Sequence, residues 1–301
     1  MSTFDFWQVD AFTDEPFKGN PCAVVFDAEP LDSAAMQAIA REMNLSETVF
    51  LMAPDRDGAD YHARIFTPAT ELPFAGHPTL ATAYSVHRRQ IYGAGPDTTQ
   101  LRQQCGVGIV PVDIETAGGA MHYVMTQMSP TFEAVGLGRD RLAAALGLAR
   151  RRLLGHPVEK VSTGVPWLVA FVKSAADVAR IRPDMAEIVQ ISLDAEVPTG
   201  LAVAALESDR PDCRIKVRCF APAGGVPEDP VTGSAQGCIG AAIAHHDLIP
   251  ARGGMLAYVA AQGAEMKRDG LVHVRCSKTG GNWAVQVGGA AVKVIEGSIL
   301  V

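Results

Sequence analysis

The chain has 301 residues, of which 20% are charged and 48% hydrophobic, and this excludes a largely disordered protein. A net charge of −7 disfavours a nucleic-acid partner, because proteins that follow a phosphate backbone are normally basic. No apolar run approaches the roughly 18 residues of a membrane span, so we expect no membrane partner. The length favours two domains over one.

Six cysteines are scattered along the chain, without a Cys-x-x-Cys pair and without a histidine at zinc-ligand spacing. This pattern predicts free, buried thiols in a reducing cytoplasm, and no metal centre. The 29 glycines and 19 prolines exceed average usage and indicate frequent turns between short strands.

Hydrophobic periodicity and turn residues predict the elements of the first part of the chain. We expect strands at 6–12, 22–26 and 62–67, a loop entering a strand at 44–51, and helices at about 33–43 and 76–90. Pro78 suits the first turn of the second helix, where its missing N–H would have been unpaired.

The remaining elements continue the mixture of strands and helices. We predict strands at 106–115, 122–127, 201–206 and 214–220, a turn followed by a buried strand within 162–172, and helices at 139–149, 176–190 (broken at Pro183) and 233–246. Residues 257–301 are strand-rich, with Gly-Gly turns expected at 280–281 and 288–289.

An internal repeat spans about half the chain. The segment Arg-Ile-Phe-Thr-Pro at 64–68 is matched 154 positions later by Arg-Cys-Phe-Ala-Pro at 218–222. Each block leads through a Pro/Gly loop to a helix that begins Gly76-His77 or Gly233-Ser234. The matched order favours duplication over chance and predicts two halves, each with strands around a central helix whose N-terminus faces a cleft.

The N-termini of these two helices are candidate anion sites. Free backbone N–H groups and a partial positive charge there can hold a carboxylate and the negative charge that develops when a proton leaves carbon. Ordinary capping by His77, Thr232 and Ser234 is the alternative interpretation.

Two carboxylates are candidate catalytic groups. Glu47 stands among apolar residues at 45 and 49–51, and such surroundings favour the protonated form and create a useful base and acid near neutral pH. Asp229 is flanked by prolines at 227 and 230 that fix its backbone. The alternatives are an exposed strand-end glutamate and an ordinary turn aspartate, and His77 could be an acid, a substrate contact or a cap.

Other site types find little support. The chain has no dinucleotide-binding fingerprint after a first-half strand, no Walker-type phosphate loop and no Gly-x-Ser-x-Gly nucleophile elbow. His245 and His246 fall at a helix end, where we interpret them as solvated partners of the helix dipole and not as a metal pair.

Taken together, these segments resemble the phenazine-biosynthesis isomerase family, the PhzF-like proteins. Seven segments carry the likeness in the family's order, at 9–13 (VDAFT), 19–21 (GNP), 44–48 (NLSET), 64–68 (RIFTP), 71–79 (ELPFAGHPT), 163–168 (TGVPWL) and 228–235 (EDPVTGSA). Each is weak alone, but jointly they are specific.

The resemblance implies an α+β fold of the diaminopimelate-epimerase type, with two pseudo-symmetric halves that each form a β-barrel around a helix. We place the halves at 1–118, with 288–301 returning to the first, and at 119–287. Proton transfer without cofactor or metal is implied, with Glu47 as base and then acid and with His77 and Asp229 assisting. The substrate-binding residues implied are Asn20, Gly76, Gly233 and Ser234.

We expect the substrate to be a small carboxylate, cyclic by preference, and the enzyme to be a cytoplasmic homodimer, as is usual in the family. Related epimerases use two facing cysteines, but the helix entries here hold His77 and Ser234, so a single carboxylate base fits better than two thiolates. An amino-acid racemase or epimerase, and a non-catalytic small-acid binding protein, remain the alternatives.

Overall fold

A computed structural model describes residues 2–280 and 282–301. Within those residues the chain forms eighteen strands and six α-helices, which confirms the α+β class. It divides into two compact units, the first ending at Thr126 but including Gly288–Val301, and the second comprising Gln127–Val287. No helix in this described part is long and apolar enough to cross a bilayer.

The first unit alternates strands with two helices. Its elements are β1 (Thr3–Ala11), β2 (Asn20–Val25), α1 (Ser33–Met43), β3 (Glu47–Met52), β4 (Tyr61–Phe66), β5 (Glu71–Leu72), α2 (Gly76–Arg89), β6 (Gln100–Cys105), β7 (Gly108–Ala117), β8 (Ala120–Thr126) and the last strand of the chain, β18 (Ala291–Leu300).

The second unit has four helices. Its elements are β9 (Thr131–Ala134), α3 (Arg139–Ala145), β10 (Glu159–Ser162), β11 (Pro166–Val172), α4 (Ala175–Arg180), α5 (Met185–Asp194), β12 (Leu201–Ala205), β13 (Ile215–Ala221), β14 (Val226–Asp229), α6 (Gly233–His245), β15 (Met255–Gln262), β16 (Gly270–Thr279) and β17 (Asn282–Gly289), whose last two residues belong to the first unit.

Strand pairing follows one pattern in both units. In the first, the order β18-β1-β2-β3-β4-β6-β7 is antiparallel except for the parallel pairs β2–β3 and β4–β6. In the second, the order β9-β10-β11-β12-β13-β15-β16 has its parallel pairs at the same places, β11–β12 and β13–β15. The short strands β5 and β14 add to β4 and β13. The predicted pseudo-symmetric halves are therefore confirmed.

A buried helix lies at the centre of each unit. Helix α2 contacts β1, β2, β3, β6, β7, β8 and β18, and β18 also contacts β8, so the strands curl around the helix. Helix α6 contacts β10, β11, β12, β15 and β16 of its own unit. Eleven of the 14 residues of α2 and eleven of the 13 residues of α6 are buried, which requires side chains that tolerate burial on every face.

The two helices meet this requirement differently. Helix α6 consists mainly of glycine, alanine and isoleucine, and a Cβ on Gly240 would lie 2.6 Å from Val274 Cγ1. Helix α2 carries hydroxyls instead, and those of Thr79, Thr82 and Ser85 each donate to the carbonyl four residues earlier at 2.5–2.8 Å. The buried hydroxyls are thereby satisfied within the helix.

The repeated Arg-x-Phe segments perform the same structural role twice. Arg64 makes a two-pronged ion pair with Glu71 at 2.7–2.8 Å and lies 5.1 Å from the Phe66 ring centre. Arg218 pairs with Glu228 at 2.7–2.8 Å and lies 5.0 Å from the corresponding ring centre of Phe220. Each pair fastens the short strand that leads to the central helix.

Several predicted boundaries shift. The expected domain limit at 118/119 moves to 126/127, because β8 pairs with β7 of the first unit. The strand predicted at 106–115 corresponds to β7, which begins at Gly108 after the turn that joins it to β6. The predicted break at Pro183 is confirmed by the separate helices α4 and α5.

The two predicted Gly-Gly turns have different outcomes. Gly281, the second residue of the turn expected at 280–281, lies outside the described residues. The turn predicted at 288–289 is wrong, since both glycines end β17. A Cβ on Gly288 would lie 2.7 Å from the Tyr123 carbonyl oxygen and 2.6 Å from Val124 Cγ2, so this glycine permits a close approach of backbones.

We predict that Gly288→Ala lowers the free energy of unfolding by about 1–3 kcal/mol, the usual cost of overpacking a well-packed site. Denaturant unfolding measures the change. Gly95→Ala is the matched control in the same unit, because a Cβ there has no atom within 4 Å among the described residues. Equal effects of the two substitutions would contradict the packing role.

Candidate active site

The first unit brings Glu47 and His77 together. Glu47 opens β3 and is paired in register with Cys22 of β2, while His77 is the second residue of α2. Glu47 Oε2 lies 3.2 Å from His77 Nε2, and the two side chains are only 14% and 5% exposed. The alternative of an exposed strand-end glutamate is therefore wrong.

His77 is a neutral imidazole. Burial lowers its pKa to about 3, because a charged ring would lose its hydration, and a hydrogen bond with the Pro21 backbone offsets only part of this effect. Asn20 Nδ2 lies 3.2 Å from Nδ1 of the ring. With the amide donating to Nδ1, the ring carries its proton on Nε2, which lies 3.2 Å from Glu47 Oε2.

Asn20 is held in place by the turn before it. Gly19 has a φ of +58°, and a Cβ at this residue would lie 2.1 Å from the Ala11 carbonyl oxygen. Only glycine fits this conformation and this close approach. Asn20 itself is fully buried against His77, so the structure gives it a partner that the sequence did not indicate.

The N-terminus of α2 has no side-chain cap. Its N-cap residue is Ala75, which makes no side-chain capping bond among the described residues, whereas Asp32 and Ser174 cap α1 and α4. His77 does not cap the helix but contacts Glu47. The backbone N–H groups at Gly76 and His77 therefore retain the partial positive charge of a helix end beside Glu47.

The second unit organises Asp229 at the equivalent helix entry. The Thr232 hydroxyl donates to Asp229 Oδ2 at 2.6 Å, and Gln262 Nε2 donates to the Asp229 carbonyl at 3.0 Å and to Thr232 Oγ1 at 2.9 Å. Thr232 is the N-cap residue of α6 by position, but it makes no side-chain capping bond in the described chain. Asp229 is thus part of a hydrogen-bonded network, not an isolated turn residue.

Ser234 and Gly233 begin α6. The Trp167 indole N–H donates to Ser234 Oγ at 3.0 Å, which orients the hydroxyl away from a capping role. Gln127 Nε2 donates to the Gly233 carbonyl at 3.1 Å. Capping by His77, Thr232 and Ser234, the alternative considered for both helix ends, is therefore wrong.

The buried thiols are protonated. Burial, and secondly the charge of Glu47, raises the pKa of Cys22 well above its usual value. Burial raises the pKa of Cys238 to about 11, and its Sγ lies 3.5 Å from Thr163 Oγ1. Neither cysteine offers the thiolate that a nucleophile or base would require.

Within each unit, the predicted residues gather at one helix entry. Asn20, Glu47, Gly76 and His77 lie together in the first unit, and Asp229, Gly233 and Ser234 lie together in the second. The sequence missed Gln262, which no motif signals, and indicated Thr232, inside the 228–235 segment, only as a cap. None of these residues belongs to the one metal-like cluster found in the described chain.

Comparison with known proteins gives a consistent result. Residues 9–297 match the family described as phenazine biosynthesis-like protein. A trans-2,3-dihydro-3-hydroxyanthranilate isomerase of Pseudomonas aeruginosa is 36% identical over 291 residues, covering 96% of each chain. A Bacillus anthracis phenazine biosynthesis protein of the PhzF family is 30% identical, with a TM-score of 0.90 and full coverage of both chains.

A more distant likeness concerns the fold alone. A hydroxyproline epimerase of Agrobacterium vitis has a TM-score of 0.65 with 10% identity, covering 99% of this chain and 91% of that one. This neighbour supports the predicted epimerase-like architecture of the chain.

We predict that His77 makes the protein less stable in acid. Its pKa is about 3 in the folded chain against 6.5 when unfolded, so the unfolded state binds the extra proton and stability falls as the pH drops from 6.5 towards 3. One such proton contributes a slope of about 1.4 kcal/mol per pH unit.

Urea unfolding at several pH values between 7 and 4 measures this slope. His77→Gln should reduce the slope of the unfolding free energy against pH by about the amount that one proton contributes. His62→Gln serves as the control, since burial lowers the pKa of this partly buried ring as well but less completely. A slope unchanged by His77→Gln would contradict the assignment of a buried neutral ring.

Proposed function

We propose that Glu47 moves a proton between two carbons of a small carboxylate, since the chain belongs to the phenazine biosynthesis-like protein family and is an isomerase. The observation that carries the proposal is the 3.2 Å contact between the nearly buried Glu47 carboxylate and the neutral His77 ring. A carboxylate beside a neutral ring keeps the capacity to accept a proton.

The roles of the two oxygens follow from this contact. Oε2 is buried 3.2 Å from His77 Nε2, and we assign the other oxygen, Oε1, to the substrate. Oε1 takes a proton from substrate carbon, the electron pair of the broken C–H bond moves into the substrate's conjugated system, and the resulting carboxylic acid returns the proton to a second carbon. No atom is gained or lost in this sequence.

His77 is proposed to position and tune the base. A ring with a pKa of about 3 does not take up a proton near neutral pH, so it does not relay protons. Asn20 keeps the ring in the required tautomer.

The helix ends are proposed to bind the substrate's acid group. Gly76 of α2 and Gly233 of α6 begin helices without a side-chain capping bond in the described chain, and such ends attract anions. Ser234 adds a hydroxyl oriented by Trp167. Asp229, fixed by Thr232 and Gln262, assists proton transfer.

A single base is supported by the difference between the repeats. In the strand pairing, Leu201 opposite Phe220 corresponds to Thr48 opposite Phe66, so Gly200 stands where the first unit has Glu47. The duplicated copy therefore lacks an acid at this position. Together with the protonated Cys22 and Cys238, this disfavours the two-base racemase, and a one-face proton shift fits better.

The substrate is proposed to be a cyclic amino or hydroxy acid like that of the Pseudomonas aeruginosa relative, whose name specifies trans-2,3-dihydro-3-hydroxyanthranilate. A homodimer and a cytoplasmic location remain predictions from the sequence.

We predict that Glu47→Gln lowers the isomerisation rate of trans-2,3-dihydro-3-hydroxyanthranilate, and its exchange of carbon-bound hydrogen with D₂O, by at least about a hundredfold. The amide keeps the shape of the side chain but cannot accept the proton, and a positioned acid–base group contributes about 10²–10⁴-fold. Proton NMR in D₂O follows both processes.

Glu42→Gln is the matched control for this experiment, because Glu42 is exposed on α1 of the same unit. It should retain the wild-type rate. Undiminished exchange in Glu47→Gln would refute the base assignment, and a wild-type protein inert towards this compound would refute the substrate.

A second prediction separates the proposed shift from thiolate chemistry. Cys238→Ala should retain the isomerisation rate to within about threefold, since a thiol whose pKa is raised to about 11 is not the reacting base. The activity assay is paired with circular dichroism to check folding. A folded but inactive Cys238→Ala protein would favour the racemase-like mechanism.

A further inference from the structure

A histidine–carboxylate cluster lies in the second unit, apart from the residues discussed above. His156, Glu159 and His246 each offer one ligand atom, and these atoms all lie within 4.8 Å of one another. It is the one such group of His, Cys, Asp or Glu side chains in the described chain. All three side chains are partly buried.

The tightest contact joins His246 and Glu159. His246 Nε2 lies 2.6 Å from Glu159 Oε2, and the side chains are 25% and 13% exposed. The His156 and His246 rings meet edge to face, with ring centres 4.2 Å apart. The three donor groups are therefore already gathered, so an ion would need only small side-chain movements to bind them.

His156 has the tautomer that a metal ligand needs. Its Nδ1 lies 2.9 Å from the Pro157 carbonyl oxygen, to which a ring N–H donates. The lone pair is then on Nε2, the remaining ring nitrogen. Metal-ligating histidines typically donate their second ring nitrogen to a carbonyl or carboxylate in this way.

The fold assembles the cluster from three segments. Glu159 opens β10, which β9 and β11 flank, and His246 is the C-cap residue of α6. Helix α6 contacts β10, which brings residues 87 positions apart in sequence to one place. His245, next along the chain, stacks on Phe132 with ring centres 4.2 Å apart and is not part of the cluster.

We propose that His156, Glu159 and His246 bind a divalent transition-metal ion of the zinc class. Two imidazoles and one carboxylate are donors that Zn²⁺ accepts, with solvent completing the coordination. With bonds of about 2.0–2.2 Å, tetrahedral donor atoms lie about 3.4 Å apart, so the Glu159–His246 contact opens by less than about 1 Å.

The bound ion fastens the end of α6 to β10. Because α6 begins at Gly233 and ends next to the ligand His246, the ion stabilises the helix that carries the second unit's candidate substrate-binding residues. Its stabilising effect rises with metal concentration, since only the folded unit gathers the three ligands.

The test uses the full chain without an affinity tag, stripped with EDTA and desalted. Zn²⁺ is titrated by calorimetry, Co²⁺ is titrated by its visible absorption, and the thermal midpoint is recorded with and without Zn²⁺. We expect one ion per chain and a midpoint that rises with Zn²⁺. His156→Ala and His246→Gln should each weaken binding at least tenfold and abolish the rise.

Two variants separate loss of the metal ligands from other effects of substitution. His156→Ala leaves the Glu159–His246 ion pair intact, so a lost metal response in this variant cannot come from breaking that pair. His245→Gln is the matched control and should bind as the wild type does. Absence of saturable binding, binding retained in both ligand variants, or equal loss in His245→Gln would each overturn the proposal.

Discussion

Each unit depends on a helix that strands surround and that must therefore be buried on nearly every face. Such a helix cannot rely on an exposed polar side, so its side chains are either small or able to satisfy their own hydroxyls. Helix α6 follows the first solution and α2 the second. The strands around α6 can approach closely because this helix carries little bulk.

The same burial sets the electrostatics of the candidate site. His77 enters the enclosed helix at its first turn, and desolvation there keeps its ring neutral. A neutral ring lies 3.2 Å from the Glu47 carboxylate without adding a full charge to the pair. Burial also keeps Cys22 protonated beside the carboxylate, so neither Cys22 nor His77 changes its protonation near neutral pH.

The two units share their strand pairing but differ in the residues at the helix entry. Both units keep the order of parallel and antiparallel pairs and the arginine–glutamate pair before the central helix. The first unit then places Glu47 and His77 at the helix entry, while the second has Gly200 and Ser234 at the related positions. Backbone hydrogen bonds and core packing maintain the frame, so individual side chains could change without loss of the fold.

The sequence by itself determined the α+β class, the two halves, the central helices and the residues at their entries. These features depend on local chemistry: Gly76 and Gly233 start helices, Pro183 interrupts one, and the Arg-x-Phe segments recur at a constant offset. Only the tertiary structure decided how burial neutralises His77, that Asn20 and Gln262 support the candidate residues, and that His156, Glu159 and His246 meet. Desolvation and contacts between distant segments exist only after the strands pair and curl, so no local pattern could report them.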